Sequence, residues 1–341
     1  MKVLVIRFSS IGDIVLTTPV LRCLKTQRAD ISLHLLTKSN FEKIVAHNPY
    51  IDKHYYLNDN LPEIIEQLKQ EQYDEIIDLH HNLRTLRIKQ ALNIPAHSFR
   101  KLNLQKWLLV NFKINLMPAE SIVERYMETV QHLGVKNDHK GLDYFLPEGI
   151  KVTTKDIPMS HWAGYVAMVI GGSYFTKKLP VEKWQELIQH TPFPVILLGG
   201  PEDKLEGDAI AEMDSIKIYN ACGKFNLDES ALLVKDAHVV VSNDTGLMHI
   251  AAAFQKPIIS LWGNTAPEMG MFPYFGSNTL NNIPPTLKLM EKKDLSCHPC
   301  SKIGYHKCPK RHFKCMKELD MEAVAGAVKS LWKLSKKAPE A

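Results

Sequence analysis

The sequence predicts an α/β protein made of two doubly wound domains, each built around a parallel sheet. Strand and helix patterns alternate in the first half, give way to a polar, turn-rich segment at about 134–163, and then resume. The chain has 341 residues, which is long for one hydrophobic core and ordinary for two domains. We expect the domains to face each other across a cleft lined by the carboxyl ends of their strands.

Short apolar runs predict the strands, and apolar residues at helical spacing predict the helices. In the first half, the predicted strands are 3–6, 31–36 and 75–79, and the predicted helices are 15–24, 41–46, 61–70, 104–112 and 122–133. In the second half, the predicted strands are 165–170, 195–198, 216–219, 238–241 and 257–261, and the predicted helices are 181–190, 227–235 and 321–333. We place the domains at 1–155 and 156–320, followed by a C-terminal helix within 321–341.

The bulk composition predicts a cytoplasmic protein, since no apolar run reaches the roughly 18–20 residues of a membrane span. The net charge is only +5, but no Asp or Glu occurs from Leu79 to Ala119. Arg84, Arg87, Arg100 and Lys101 lie in this window. One-sign regions attract anions or an acidic membrane surface, although a solvated helix face is the alternative. No nucleic-acid motif accompanies the charge, so we expect no specific nucleic-acid partner.

The segment Ser242–Ala253 predicts a strand, a tight loop and a helix. In its loop, Asp244-Thr245-Gly246 exposes backbone amides at the start of the helix, where a phosphate or a sugar hydroxyl binds well. An ordinary helix cap is the alternative. A second polar cluster, Ser173, Thr176 and Lys177, follows a predicted strand and suits a diphosphate, with Lys178 as a competing cation.

The N-terminal segment 7–19, with the sequence RFSSIGDIVLTTP, follows the first predicted strand. Its small residues Ser9, Ser10 and Gly12 allow the backbone to come close to a ligand. Asp13 falls where the first helix begins, and a helix start favours an ionised carboxylate. A carboxylate there either caps the helix or takes a proton from a hydroxyl that attacks an electrophile.

On these two motifs, 7–19 and DTGLMH at 244–249, the chain resembles family 9 glycosyltransferases, the ADP-heptose:lipopolysaccharide heptosyltransferases. The resemblance covers nearly the whole length. It implies a GT-B architecture of two Rossmann-like domains, with the last helix packing back on the first domain. It also implies metal-independent, inverting transfer of heptose from ADP-heptose to the anionic lipopolysaccharide inner core, with no required cofactor.

The resemblance also implies roles for individual residues. Asp13 resembles the general base, while Ser9, Ser10 and Gly12 lie beside the acceptor. The donor residues it implies are Ser173, Thr176 and Lys177 at the phosphates, Glu202 at the ribose, Phe225 at the adenine, and Asp244, Thr245, Gly246 and His249 under the sugar and phosphates. Arg84, Arg87, Arg100 and Lys101 would meet an anionic acceptor and the cytoplasmic face of the inner membrane.

Six cysteines are present. We expect Cys23 and Cys222 to be buried apolar residues. Cys297, Cys300, Cys308 and Cys315 follow the pattern C-x2-C-x7-C-x6-C, whose first pair has metal-ligand spacing. They are a candidate structural zinc site, with free or redox-labile thiols as the alternative.

Three other functions remain open on the sequence alone. The same sites could use a UDP- or GDP-hexose donor. The chain could be a non-catalytic module that binds a nucleotide sugar. Its basic window could also bind nucleic acid weakly and without specificity.

Overall fold

The computed structural model describes residues 1–153 and 155–336, and its contacts divide the chain into two compact units. Unit 1 comprises Met1–Lys101, Ser121–Phe145 and Tyr274–Ser277. Unit 2 comprises Leu102–Glu120, Leu146–Pro273 and Asn278–Ala341. This division differs from the predicted boundary at 155/156: the main boundary lies between Phe145 and Leu146, Leu102–Glu120 belongs with unit 2, and Tyr274–Ser277 belongs with unit 1.

The sheet of unit 1 has five parallel strands in the order β3-β2-β1-β4-β5. They are β1 (Lys2–Ile6), β2 (Ser32–Lys38), β3 (Lys53–Leu57), β4 (Glu75–Asp78) and β5 (Ala96–Ser98). Helices up to residue 127 are α1 (Ile11–Val15), α2 (Thr18–Gln27), α3 (Glu42–Val45), α4 (Leu61–Gln70), α5 (Leu83–Leu92), α6 (Asn103–Phe112) and α7 (Ile122–Met127). Of these, α6 belongs to unit 2. Short 3₁₀ turns are Ser39–Phe41 and Glu128–Leu133.

The sheet of unit 2 has six parallel strands in the order β11-β10-β9-β6-β7-β8. They are β6 (Val166–Val169), β7 (Val195–Leu198), β8 (Ile218–Asn220), β9 (Val239–Asn243), β10 (Ile258–Trp262) and β11 (Leu287–Glu291). The helices are α8 (Val181–His190), α9 (Lys204–Ala211), α10 (Leu227–Asp236), α11 (Gly246–Ala253), α12 (Lys314–Lys317) and α13 (Met321–Ser335). Short 3₁₀ turns are Met159–His161, Phe175–Lys177, Pro201–Asp203 and Pro267–Met269.

The predicted fold class, two doubly wound α/β domains, is confirmed. In unit 1 the strand order reverses between β1 and β4, and in unit 2 it reverses between β6 and β9. Open α/β sheets bind ligands beyond the carboxyl ends of the strands at such a switch point. The loops after these four strands are therefore the places to look for function.

The last helix packs within unit 2, and its packing back on the first domain stays a prediction. Helix α13 packs on α8 and on strands β9 and β10, all in unit 2. Its apolar stripe, which includes Val324, Val328 and Leu331, is buried in the hydrophobic core of that unit. Since burial of this stripe is its main source of stability, α13 is an integral part of unit 2. No helix within the described residues is long and apolar enough to span a bilayer.

Candidate active site

The loop after β1 holds an ion pair between buried Arg7 and half-buried Asp13 at the switch point of unit 1. The Nη2 atom of Arg7 lies 2.5 Å from Oδ1 of Asp13. Other nitrogens of the same guanidinium donate to the carbonyls of Ser9 and Leu79 and to the hydroxyl of Tyr126. Burial is the largest single influence and lowers the pKa of Arg7, but Asp13, Tyr126 and Asp78 together outweigh it, so the pKa is raised. A guanidinium fixed in this way favours the charged carboxylate and sets its direction.

Asp13 also accepts two hydrogen bonds from Ser10, at the start of α1. The Ser10 hydroxyl lies 2.8 Å and its amide 3.2 Å from Oδ2 of Asp13. The Ser10 hydroxyl, predicted to meet the acceptor, therefore positions the carboxylate in this structure. Ser9 is half-buried and Gly12 is buried within the same loop and helix start.

His80, which falls within the acid-free window 79–119, also lies in this region. It follows β4 across the switch point and its ring packs edge-on against Phe8, with 5.0 Å between ring centroids. Its Nδ1 is buried without a hydrogen-bond partner among the described residues. Burial, reinforced by the charges of Arg7 and Lys101, lowers the pKa of His80 to about 4. The ring is therefore neutral near pH 7 and adds a polar, uncharged surface beside Asp13.

This low pKa predicts a loss of stability in acid. An unfolded histidine binds its proton below about pH 6.5, whereas folded His80 binds it only below about 4. Unfolding then takes up a proton between these values, so stability falls as the pH falls from 6.5 to 4. The variant His80→Gln should reduce this acid sensitivity by at most about 3 kcal/mol, measured as the free energy of unfolding at pH 7 and pH 4.5.

The control is His190→Gln, which removes an exposed histidine in α8. It should leave the difference between the two pH values unchanged. An unchanged difference in His80→Gln as well would contradict the assignment of acid sensitivity to His80.

The basic window is only partly available to a ligand. Arg84 and Arg87 are exposed on α5. In contrast, Arg100 forms a two-pronged ion pair with Glu128. Glu128 lies outside the acid-free window in sequence, so the sequence pattern overestimated the unbalanced positive charge of that window. Lys101 is half-buried near His80, whose pKa it helps to lower.

In unit 2, the loops after β6 and β9 are joined by an ion pair at the switch point. The Nζ of Lys177 lies 2.7 Å from Oδ2 of Asp244. The same carboxylate accepts a hydrogen bond from the hydroxyl of Thr265, at 3.0 Å. These two loops thus present an ammonium group and the N-terminus of α11 together, which is the chemistry that binds a phosphate.

Asn243, the last residue of β9, fixes this arrangement and was missed in the sequence. Its side-chain amide donates to the carbonyls of Ile170 and Gly171 at 2.9 and 3.2 Å. Its side-chain oxygen accepts from the amide of Leu179 at 3.1 Å. Because Asn243 is fully buried, it ties both ends of the 170–179 loop to β9.

The competing cation Lys178 is occupied elsewhere. It forms ion pairs with Asp203 at 2.8 Å and Glu206 at 2.5 Å. A side chain at Gly171 or Gly199 would collide with the Asp203 carboxylate, because its Cβ would lie 2.5 or 2.7 Å from Oδ2 of that group. These glycines therefore make room for the Asp203–Lys178 pair, which leaves Lys177 as the candidate donor ligand.

Thr176 does not fit its predicted donor role. Its side chain is buried and its hydroxyl both donates to the carbonyl and accepts from the amide of Tyr305, at 3.1 and 2.8 Å. A hydroxyl with both functions engaged in the protein has little left for a ligand.

The remaining predicted donor residues fall on loops and helix starts of unit 2. Ser173 is exposed in the loop after β6, and Glu202 is exposed in the 3₁₀ turn after β7. Phe225 is half-buried after β8. Thr245 is the N-cap of α11, Gly246 is its first residue, and His249 is buried in its second turn.

Asn264 is a further residue that the sequence did not single out. It follows β10, next to Thr265, and is 2 % exposed. Its backbone carbonyl accepts from the amides of Cys300 and Ser301, but neither its side-chain oxygen nor its nitrogen has a partner among the described residues. A buried amide with both ends unsatisfied is a candidate ligand contact.

The prediction of buried Cys23 and Cys222 is confirmed, since both are fully buried. Of the other four cysteines, Cys300 and Cys315 have thiols with a raised pKa. Burial, then the nearby Cys297 and Cys308, raises the pKa of the Cys300 thiol to about 11. Burial also raises the pKa of the Cys315 thiol to about 12. Among the described residues, these cysteines do not bring three ligand atoms within 4.8 Å of one another, so the arrangement is looser than a closed zinc site.

Comparisons with known proteins point to one family. The family described as glycosyltransferase family 9 (heptosyltransferase) matches residues 62–295. Lipopolysaccharide heptosyltransferase 1 of Campylobacter coli is 26% identical over 303 residues, covering 80% of this chain and 86% of that protein. The match to the family begins after Asp13, so it does not test the N-terminal motif.

Two solved structures share the fold. A glycosyl transferase family 9 protein from Veillonella parvula superimposes with a TM-score of 0.73 at 20% identity, covering 98% of this chain and 97% of that one. The E. coli heptosyltransferase WaaC with ADP superimposes with a TM-score of 0.67 at 20% identity, covering 97% and 100%. Both support the predicted GT-B class of α/β fold.

Proposed function

We propose, from the premise that this chain belongs to glycosyltransferase family 9, the heptosyltransferases, that it moves heptose from ADP-heptose to the lipopolysaccharide inner core with inversion. The proposed reaction depends on one observation, the ion pair in which Arg7 fixes the direction of the Asp13 carboxylate at the switch point of unit 1. The name of the relative from Campylobacter coli supports the lipopolysaccharide acceptor, and the ADP in the WaaC structure supports the donor.

In the proposed reaction, Asp13 is the general base. The acceptor hydroxyl oxygen attacks the anomeric carbon of the heptose, and its proton passes to the carboxylate of Asp13. The bond between the anomeric carbon and the diphosphate oxygen breaks, and ADP leaves with the electron pair. Arg7 orients the carboxylate throughout, and neutral His80 is a candidate contact for the acceptor sugar.

The donor diphosphate is proposed to lie on the two loops joined by Lys177 and Asp244. The ammonium group of Lys177 and the first amides of α11 would stabilise the negative charge that develops on the leaving ADP. Glu202 would bind the ribose hydroxyls and Phe225 would stack on the base. The unsatisfied amide of Asn264 is close in sequence to Thr265, the partner of Asp244, and we assign it to the same ligand.

The direct test combines nucleotide binding with transfer. ADP should raise the melting temperature more than UDP or GDP does, and ADP-heptose with a truncated lipopolysaccharide acceptor should give a product heavier by one heptose. Preference for UDP or GDP would favour the hexosyltransferase alternative. Binding of ADP-heptose without transfer to any core acceptor would favour the non-catalytic alternative.

We further propose that helix α6 contacts an acidic phospholipid surface. Its apolar side chains Leu104, Trp107 and Phe112 are 65%, 52% and 58% exposed, and Ile114 and Leu116 just beyond it are also exposed. Lys106 lies on the helix and the whole surrounding window lacks acidic residues. Exposed aromatic and aliphatic groups beside cations are typical of helices that lie in a membrane interface.

Replacing Trp107 and Phe112 together by Ser should weaken vesicle binding. Each substitution removes an aromatic side chain that would be buried in the membrane interface. We therefore expect at least a tenfold drop in partitioning onto vesicles containing phosphatidylglycerol, measured by co-sedimentation. The matched control is Leu205→Ser, which removes a side chain 82% exposed on α9. Equal partitioning of all three proteins would contradict the proposal.

The chemistry proposed for transfer uses protein side chains alone. The structural zinc predicted at Cys297, Cys300, Cys308 and Cys315 remains a separate prediction. Metal analysis of protein purified without chelator tests it, and less than about a tenth of an equivalent of zinc would rule out a closed site of the usual affinity.

A further inference from the structure

Three side chains of unit 1 converge at the opposite end of the sheet from Asp13. Glu75 is the first residue of β4, His97 lies in the neighbouring edge strand β5, and His132 lies in the 3₁₀ turn Glu128–Leu133. Nε2 of His132 is 2.5 Å and Nε2 of His97 is 3.3 Å from the same oxygen, Oε1 of Glu75. All three atoms lie within 4.8 Å of one another.

The strand register explains why these residues meet. His97 is paired with Ile77, so the two side chains project from the same face of the sheet. Glu75 precedes Ile77 by two residues and projects from that face as well. The Glu128–Leu133 turn packs against both β4 and β5 and brings His132 to the same point.

The charge balance of this cluster favours a cation. The Glu75 residue is only 4% exposed, and a buried carboxylate needs a positive partner. The two imidazole rings are stacked, with centroids 3.8 Å apart and planes at 17°. The stacking places a ring nitrogen of each imidazole next to the same carboxylate oxygen, so three possible ligand atoms converge on one point. A divalent ion held there would satisfy the buried carboxylate by coordination.

We propose that Glu75, His97 and His132 form a zinc site that ties the edge strand β5 to the Glu128–Leu133 turn. Two imidazoles and one carboxylate are a ligand set that zinc accepts, with water in the fourth position. Tetrahedral coordination needs ligand atoms about 3.3 Å apart. The side chains of His97 and His132 are 43% and 36% exposed, so small movements can reach this spacing and the ion can enter from solvent.

The site is distinct in place from the chemistry proposed for transfer. Glu75 lies at the amino end of β4, while Arg7, Asp13 and His80 follow the carboxyl ends of β1 and β4. Its role is therefore the stability of unit 1, and it needs no part of the proposed function to be correct.

The experiment compares zinc uptake by the full chain and its variants. Protein stripped with chelator is incubated with Zn²⁺ at about 20 µM, passed through gel filtration and analysed for metal. Wild type should retain one equivalent of zinc more than His132→Gln or His97→Gln. Zinc should also raise the melting temperature of the wild type by at least about 2 °C more than it raises that of either variant. Any zinc at the cysteines is common to all and cancels in the difference.

His47→Gln, which removes an exposed histidine of unit 1, is the matched control and should behave as wild type. His132→Gln is the main variant because its exposed position tolerates substitution. Glu75→Gln tests the buried ligand by an isosteric change and should lose the same equivalent of zinc. Equal zinc uptake by wild type and His132→Gln, or a difference that also appears with His47→Gln, would overturn the proposal.

Discussion

The variant Asp13→Asn is expected to lose about 10³-fold in kcat while retaining the affinity for ADP-heptose. General-base catalysis contributes roughly 10²–10⁴-fold, and an amide cannot accept the proton from the attacking hydroxyl. The donor affinity should stay because the proposed donor residues belong to unit 2 and Asp13 to unit 1. The measurements are steady-state kinetics with a truncated acceptor and ADP-induced stabilisation in the same preparation.

Loss of the Arg7 ion pair could also reduce activity through folding, so a structural control is needed. In Asp13→Asn, Arg7 keeps its bonds to the carbonyls of Ser9 and Leu79 and to Tyr126, which limits the loss of stability. Ser10→Ala removes only a hydroxyl that donates to Asp13 and should cost less than tenfold in kcat. Transfer by Asp13→Asn within a few-fold of wild type would refute the base assignment.

The variant Lys177→Met is expected to raise the KM for ADP-heptose about 10- to 100-fold. A charge-assisted bond to a phosphate contributes about 1.5–3 kcal/mol, and Lys177 also balances the charge of Asp244 in the proposed donor site. The effect on kcat should be smaller if Lys177 binds the diphosphate equally before and during bond breaking. Initial rates over a range of donor concentrations separate the two parameters.

Two neighbouring lysines serve as controls for this experiment. Lys183→Gln breaks an ion pair with Glu186 on α8 and should leave both kinetic parameters unchanged. Lys178→Met leaves the buried Asp203 without its cation, so its main effect should be a lower melting temperature and not a change in the kinetic parameters. A donor KM that rises in Lys178→Met but not in Lys177→Met would mean that Lys178, and not Lys177, contacts the phosphates.

Much of the fold was predictable because its elements have strong local signals. The helices at 61–70 and 181–190 and the strand at 195–198 were predicted with the observed bounds. These helices show the spacing of one buried face, and the strand is a short apolar run. The elements that were missed have weaker patterns. Edge strand β3 has the sequence KHYYL, and α5 exposes Leu83 and Leu86 while few of its residues are buried.

The candidate site was predictable in its motifs and not in its contacts. The sequence placed Asp13 and Asp244 at helix starts, where the structure has them. It could not reveal that Arg7 is bonded to Leu79 and Tyr126, which lie 72 and 119 residues away. Likewise, the choice between Lys177 and Lys178 depends on Asp203 and Asp244, whose positions only tertiary packing decides.

The interleaving of the two units along the chain determines how chimaeric enzymes must be made. Tyr274 is fully buried in unit 1, where its hydroxyl bonds to Glu124 and Asn137. A single crossover near residue 146 would therefore bring in a foreign 274–277 segment and leave the native 102–120 segment beside a foreign partner. An exchange that respects both cores needs crossovers on either side of 102–120 and of 274–277.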